Sequence, residues 1–230
     1  MGVVTLELAN KAELGWAQRM VTAGHYLRTP VDTRCSVEVY LVLVEGMAVG
    51  CLIFGRPEAT RCYPWYGSVE DVTTSRAEVT RWQVLNLARV WLSPAVQAGG
   101  AWYEPDLLPG FVDRNGTWRS TLASTAIRMA VQRIGFDYLM RRPPCFLDEP
   151  YEIRWLLSYC DTRLHRGVIY AAAGFQRYRI NGRGIETWRA PLPALTAAQD
   201  EQVRDASRRS PRSQRYRAQR IREHAQLRMV

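Results

Sequence analysis

A mixed α/β domain, with one central mixed sheet flanked by helices, is what the order of elements in this chain predicts. Three observations carry that reading. Two β-branched runs, Ser36 to Val44 and Met47 to Phe54, flank a Glu45-Gly46 turn signal and make a hairpin. A stretch with helical spacing, Thr117 to Ile134, separates two further apolar runs, Val84 to Leu92 and Ile153 to Tyr159. An Arg-rich arm then follows a last hairpin, so the order reads β-α-β-β-loop-β-α-β-α-β.

Each element has a local cause. Val3 to Leu8 is a short β-forming run. Asn10 follows as an N-cap, with Glu13 three residues on completing a capping box. The helix it starts carries Leu14, Ala17, Met20 and Val21 on one face and ends near Gly24. Pro57 to Ala77 is polar and aromatic and reads as a loop. Ser93-Pro94 stops the Val84 to Leu92 strand, and Ala98 to Asn115 is a Gly- and Pro-rich excursion. Leu122, Ala126, Met129 and Ala130 mark one helical face. His165 to Ala173 is a short helix closed by Gly174, and Phe175 to Ile180 pairs with Ile185 to Trp188 around Asn181-Gly182.

Composition narrows the functional classes. With 230 residues and 47% apolar content, the chain can bury a real core. Of its 31 basic residues only Lys11 is a lysine, and the net charge is +9. Arginine grips phosphates in a bidentate fashion and stacks on bases, so this surface suits a nucleic-acid partner. Five cysteines without CxxC spacing argue against a zinc knuckle or a disulfide framework. No run reaches the roughly 20 apolar residues a membrane span needs, and acidic and polar residues interrupt the N-terminus where a signal peptide would be apolar. The expectation is a soluble, cytoplasmic protein. Composition shifts at Thr196, which divides the chain into a catalytic domain over 1–195 and an Arg-rich helix or arm over 196–230. That arm holds nine arginines against four acids from Asp200 on, and reads as a solvated helix or a disordered basic segment. Arg208, Arg209, Arg212 and Arg215 are its candidate phosphate contacts.

The chemistry concentrates where the run Ile153 to Tyr159 ends. Asp161, His165 and Tyr170 follow within ten residues, at the tip of a strand that would hold them rigidly beside a crevice. His25 and Tyr26 sit just past the end of the first helix, and Arg89 lies in mid-strand, where a charge demands a partner.

Several separated pieces together resemble the phage Mom DNA-modification proteins and their relatives in the GNAT acyltransferase fold. They are His25-Tyr26, Gly50 to Pro57, Leu87 to Leu92, Ser158 to Asp161, and His165 to Phe175 with its Gly167, Tyr170 and Gly174. The match covers roughly residues 20 to 190 and leaves out the basic arm. The resemblance implies a GNAT-like central sheet and an enzyme that adds a carbamoylmethyl group to N6 of adenine in phage DNA, an anti-restriction function. Acetyl-CoA is the implied donor and double-stranded DNA the partner; the oligomeric state stays open, a homodimer included. Iron is implied at a site of His, Asp and Tyr, here His25, Tyr26, Asp161 and Tyr170, with His25 and Asp161 as its metal ligands. Arg89 and Ser124 would contact the coenzyme. The glycine-rich pyrophosphate turn of ordinary GNAT enzymes is replaced here by Arg114 to Ser120, whose Arg119 and Ser120 flank the start of a helix that can still hold phosphate.

Adenine N6 is a weak nucleophile whose proton must leave as the new bond forms, and the base must leave the stack. Asp161 would orient the amine, His25 or His165 would take the proton, and Tyr170 would stack on the base or donate to a developing oxyanion. Two other functions fit the same residues. One is a GNAT-type acyltransferase acting on a small molecule or a pre-modified base. The other is a non-catalytic nucleic-acid-binding protein on a GNAT scaffold.

Overall fold

A computed structural model describes residues 2–25, 31, 38–57, 83–145, 147 and 151–227, with side chains described as far as residue 219. Seven strands form one sheet in the order β1-β2-β3-β4-β7-β9-β8. They are β1 (Val4–Leu8), β2 (Glu38–Val44), β3 (Met47–Gly55), β4 (Val84–Leu92), β7 (Trp155–Asp161), β8 (Gln176–Ile180) and β9 (Ile185–Pro191). Every neighbouring pair is antiparallel except β4 and β7, which run parallel. Helices cover both faces, so the expected mixed sheet flanked by helices is the observed architecture.

The hairpin and the first helix form for the reasons their residues give. Glu45 and Gly46 both adopt positive φ, 51° and 75°, the conformation that a tight β2–β3 turn requires. Helix α1 (Lys11–Gly24) begins in a complete capping box. Asn10 Oδ1 accepts from the amides of Ala12 and Glu13, and the Glu13 carboxylate accepts from the Asn10 amide. Its Ala17 and Val21 are fully buried against Val39, Leu41, Cys51 and Ile53 on one face of the sheet.

The opposite face carries the larger core. Helices α2 (Leu122–Val131) and α3 (Ile134–Arg141) supply Leu122, Ala126, Ile127, Ala130, Ile134 and Tyr138 to it. They meet Tyr40, Leu52, Phe54, Leu85, Leu87 and Leu156 from the strands. One polar anchor crosses this layer: the fully buried Tyr40 donates to Asp137 Oδ2 at 2.5 Å, and Arg133 Nε donates to the same oxygen at 2.7 Å. Burial and that carboxylate push the Tyr40 phenol far above its usual range.

The crossover from β4 to β7 differs from the sequence expectation. The helical spacing over Thr117 to Ile134 resolves into two helices, and its first residues are not helical. Trp118–Ser120 is a strand, β6, paired with β5 (Gly110–Val112) in a small separate ribbon. Strand pairing wins locally because Asp113 organises the turn: its Oδ1 accepts from Asn115 and Thr117, and Gly116 takes φ 76°. Arg114 to Gly116 therefore forms the tip of this ribbon, not a turn that opens a helix.

The C-terminal segment also departs from expectation. Helix α5 (Ala197–Arg209) starts from a capping box on Thr196 and Gln199, then buries Val203 completely in the larger core. Helix α6 (Pro211–Leu227) folds back beside it. The hydroxyls of Ser207 and Ser213 both donate to the Pro144 carbonyl, at 2.5 and 3.3 Å, and Arg217 donates to Ser207 Oγ at 2.9 Å. The segment is helical, one of its two expected forms, but docked rather than solvated, because Val203 enters the larger core and two serine hydroxyls bond to Pro144. Among the described residues, no helix is long and apolar enough to cross a membrane.

Candidate functional site

The site arises from one irregularity of the sheet. Strands β4 and β7 pair only from Val84↔Trp155 to Leu87↔Ser158, although β4 continues to Leu92 and β7 to Asp161. Their last residues therefore run on unpaired with each other. On its other side, β4 pairs Leu87 with Phe54 but Arg89 with Ile53, so Ala88 is an extra residue in a bulge. A bulge reverses the alternation of the strand. Leu85 and Leu87 point into the larger core, and beyond the bulge Trp91 joins the α1 side while Val90 and Leu92 keep to the larger core. The bulge and the parting strands lie together, at the carboxyl ends of a parallel pair, where α/β sheets hold their ligands.

A cleft of about 470 Å³ opens there, and His25, Arg89, Trp91, His165, Arg166 and Tyr170 are among its lining residues. Two glycines let the walls approach. A Cβ on Gly24 would meet Trp91 Nε1 at 2.3 Å, so glycine allows the end of α1 to rest on the indole. Gly167, at φ 66°, turns the chain into the short helix α4 (Val168–Ala172), and a Cβ there would meet the Trp188 ring at 2.5 Å. Tyr170 leaves that helix half-buried, its ring tilted against Phe175 and Trp188 at 5.8 and 6.0 Å.

His25 is the C-cap of α1, its amide donating to the Val21 carbonyl at 2.9 Å. Its imidazole is pushed down from 6.5 to about 4, by burial first and then by the charges of Arg89 and His165. At neutral pH it is therefore an uncharged imidazole able to accept a proton. The shift has a consequence for stability. Between pH 4 and 6.5 the unfolded chain holds the His25 proton and the folded chain does not, so stability rises with pH across that window. Urea unfolding of the wild type and His25→Phe should show the wild type losing stability more steeply as pH falls from 6.5 to 4. Parallel profiles would contradict the assignment.

Asp161 falls elsewhere. The carboxylate was expected to converge with His25 and Tyr170, but it lines a second hollow of about 240 Å³ with Asn86, Tyr159 and Ile185. Arg89 borders both hollows, and its guanidinium donates to the Ala88 carbonyl at 2.7 Å. Arg163 holds Asp161 through both oxygens, at 2.9 and 2.6 Å, and keeps its carboxyl down at about 2. The two hollows are neighbours that share Ala88, Arg89 and Tyr159, and of the β7 tip Cys160 lines the first and Asp161 the second.

The remaining candidates are spread out. Tyr26 lies outside the described residues, as do Trp65 and Tyr66 of the aromatic loop. Arg119 pairs with Asp113 at 2.9 Å on the ribbon. Ser120 Oγ accepts from the Leu122 amide, and Ser124, nearly buried, donates to the Thr121 carbonyl. None of these three lines the cleft, although Ser120 and Ser124 mark the start of α2, whose N-cap Thr121 gives the helix no side-chain hydrogen bond.

Iron does not fit. His25 and Asp161 line different hollows, and Arg163 occupies the carboxylate. Among the described residues no three His, Cys, Asp or Glu side chains gather to hold a metal. On the C-terminal helices, Arg208 and Arg209 are tied to Glu201 and Asp205 at 2.7–3.1 Å, one turn or two away, while Arg212 and Arg215 are exposed. Of the loop aromatics, Tyr103 and Trp118 stack edge to face at 4.7 Å and pack with Trp102 on the larger core. Sequence reasoning passed over Trp91 and Arg166. Only their places in the quoted segments pointed to them, and the bulge that turns Trp91 toward α1 leaves no mark in the hydrophobic pattern.

Among solved structures, the aminoglycoside acetyltransferase AAC(6')-Ib in complex with coenzyme A is similar at 17% identity and a TM-score of 0.45, covering 88% of this chain and 99% of that one. FeeM, an N-acyl amino acid synthase from uncultured soil microbes, is similar at 10% identity and a TM-score of 0.46, covering 84% and 92%. RimL, a ribosomal L7/L12 α-N-protein acetyltransferase, is similar at 12% identity and a TM-score of 0.41, covering 84% and 95%. No family model matches the chain, and no curated protein matches it. Scores this low establish neither a family nor a substrate.

Proposed function

We propose that the protein is a GNAT-type transferase of the Mom kind, using a coenzyme A thioester to modify N6 of adenine in DNA. The observation that carries this reading is the parting of β4 and β7 beside the Ala88 bulge, which opens a cleft holding a neutral imidazole and a phenol. A donor in that gap supplies a carbonyl activated as a thioester.

The residues of the chain divide the remaining work. Trp91 and Tyr170 offer flat walls for an extruded base. His25, uncharged at neutral pH, accepts the proton that leaves adenine N6. Tyr170 lines the same cleft, and its phenol would donate toward the departing sulfur. Arg89 sets a positive charge between the two hollows, beside the position where negative charge develops. These residues carry an acyl transfer. A carbamoylmethyl product, joined through a methylene, asks for chemistry beyond thioester cleavage.

The test is direct. DNA from bacteria expressing the protein is digested to nucleosides and read by mass spectrometry for a new adenosine species. An unchanged nucleoside profile from abundant folded protein would overturn the reading.

A further inference from the structure

The charge of the cleft is one-sided. Its lining includes the guanidinium groups of Arg89 and Arg166, and among the described residues no aspartate or glutamate. The carboxylate closest in sequence, Asp161, lines the neighbouring hollow and accepts from Arg163 through both oxygens. Arg166, three residues beyond Arg163, is exposed at the cleft and has no ion pair among the described residues. Gly167 fixes its place by the positive-φ turn into α4. The proton affinity of His25 is lowered first by burial and then by the charges of Arg89 and His165, so two cationic neighbours act on the cleft from within.

A site of this sign rejects polycationic acceptors, which need carboxylates around them, and favours an acceptor that brings its own negative charge. We propose that the acceptor subsite binds the phosphate attached to the target nucleotide, with Arg166 as the specificity-determining residue that grips it. This deepens the proposed function and rests on it for the identity of the acceptor, but the binding is measurable without turnover. A guanidinium at the cleft mouth would engage a phosphate in a bidentate fashion while the base reaches inward toward His25 and Tyr170.

Calorimetric titration of the full chain with dAMP and with deoxyadenosine tests this. dAMP should bind at least about tenfold more tightly, as a charge-assisted contact provides. Arg166→Gln should bring the two affinities to within about twofold by weakening dAMP alone, and Arg166→Lys should restore part of the difference. Equal affinities in the wild type, or a preference that survives Arg166→Gln, would overturn the proposal. The phosphates of coenzyme A are a second source of negative charge, so the titration is repeated with coenzyme A at saturation. A persisting preference for dAMP places the anion in the acceptor subsite, and its disappearance assigns the positive charge to the donor and overturns the proposal. A dAMP preference with unmodified cellular DNA would defeat the proposed function alone. Modified DNA without the preference would defeat this inference alone.

Discussion

His25→Ala should lower the turnover of DNA modification by about 10²–10⁴-fold, the usual contribution of a positioned general base. The loss should fall on kcat, because the imidazole acts on the proton as the bond forms and contributes little to ground-state binding. Stability should not fall with it. At neutral pH the imidazole is uncharged in the folded chain and mostly so in the unfolded one, and the backbone amide, which caps α1 through Val21, stays in place. Single-turnover kinetics on an adenine-containing duplex, with thermal melting as the folding control, separate the two effects. A loss smaller than tenfold in a well-folded variant would remove His25 from the proton transfer. Asp161→Asn offers the contrast, since that carboxylate is ionised at neutral pH, paired with Arg163 and lines the neighbouring hollow.

Phe54→Ala should destabilise the fold by about 3–5 kcal/mol, the range for emptying a fully buried aromatic site. For a chain of this length that corresponds to a fall in Tm of about 10 °C. Phe54 is completely buried and meets Tyr40 edge to face at 5.8 Å. It is also the last partner of β4 before the bulge, opposite Leu87. The cavity would lie directly under the place where β4 turns out of register, so loss of stability and loss of modification should appear together. Urea unfolding gives the first quantity. A change below about 1 kcal/mol would mean that the core collapses around the site without cost.

Much of the fold could be read from local chemistry, because each of those elements carries its own instructions. Asn10 and Glu13 state where α1 begins, Glu45-Gly46 states the hairpin, and Asn181 closes the last one through the amides of Arg183 and Ile185. The misreadings share a cause: non-local contacts overrode local pattern. Trp118 to Ser120 has no strong preference of its own and becomes a strand because Gly110 to Val112 lies opposite. Helix α5 is too polar to announce a buried face, and of its residues only Val203 and Ser207 are buried.

The site followed the same division. His25, His165 and Tyr170 were found as residues, and they share a cleft. Asp161 was grouped with them because it is close in sequence, but it lines the neighbouring hollow, where Arg163 holds it. The Ala88 bulge is a matter of hydrogen-bond register between β3 and β4, which no spacing of residue types encodes.

The short contact between β4 and β7 has one more consequence. Among the described residues, four ladder pairs splice the half-sheet β1-β2-β3-β4 to the half-sheet β7-β9-β8. A molecule wedged into the fork beyond them acts as a second rivet across this seam. Its occupancy should raise the melting point and slow amide exchange along both rims, by mass action on the joined state.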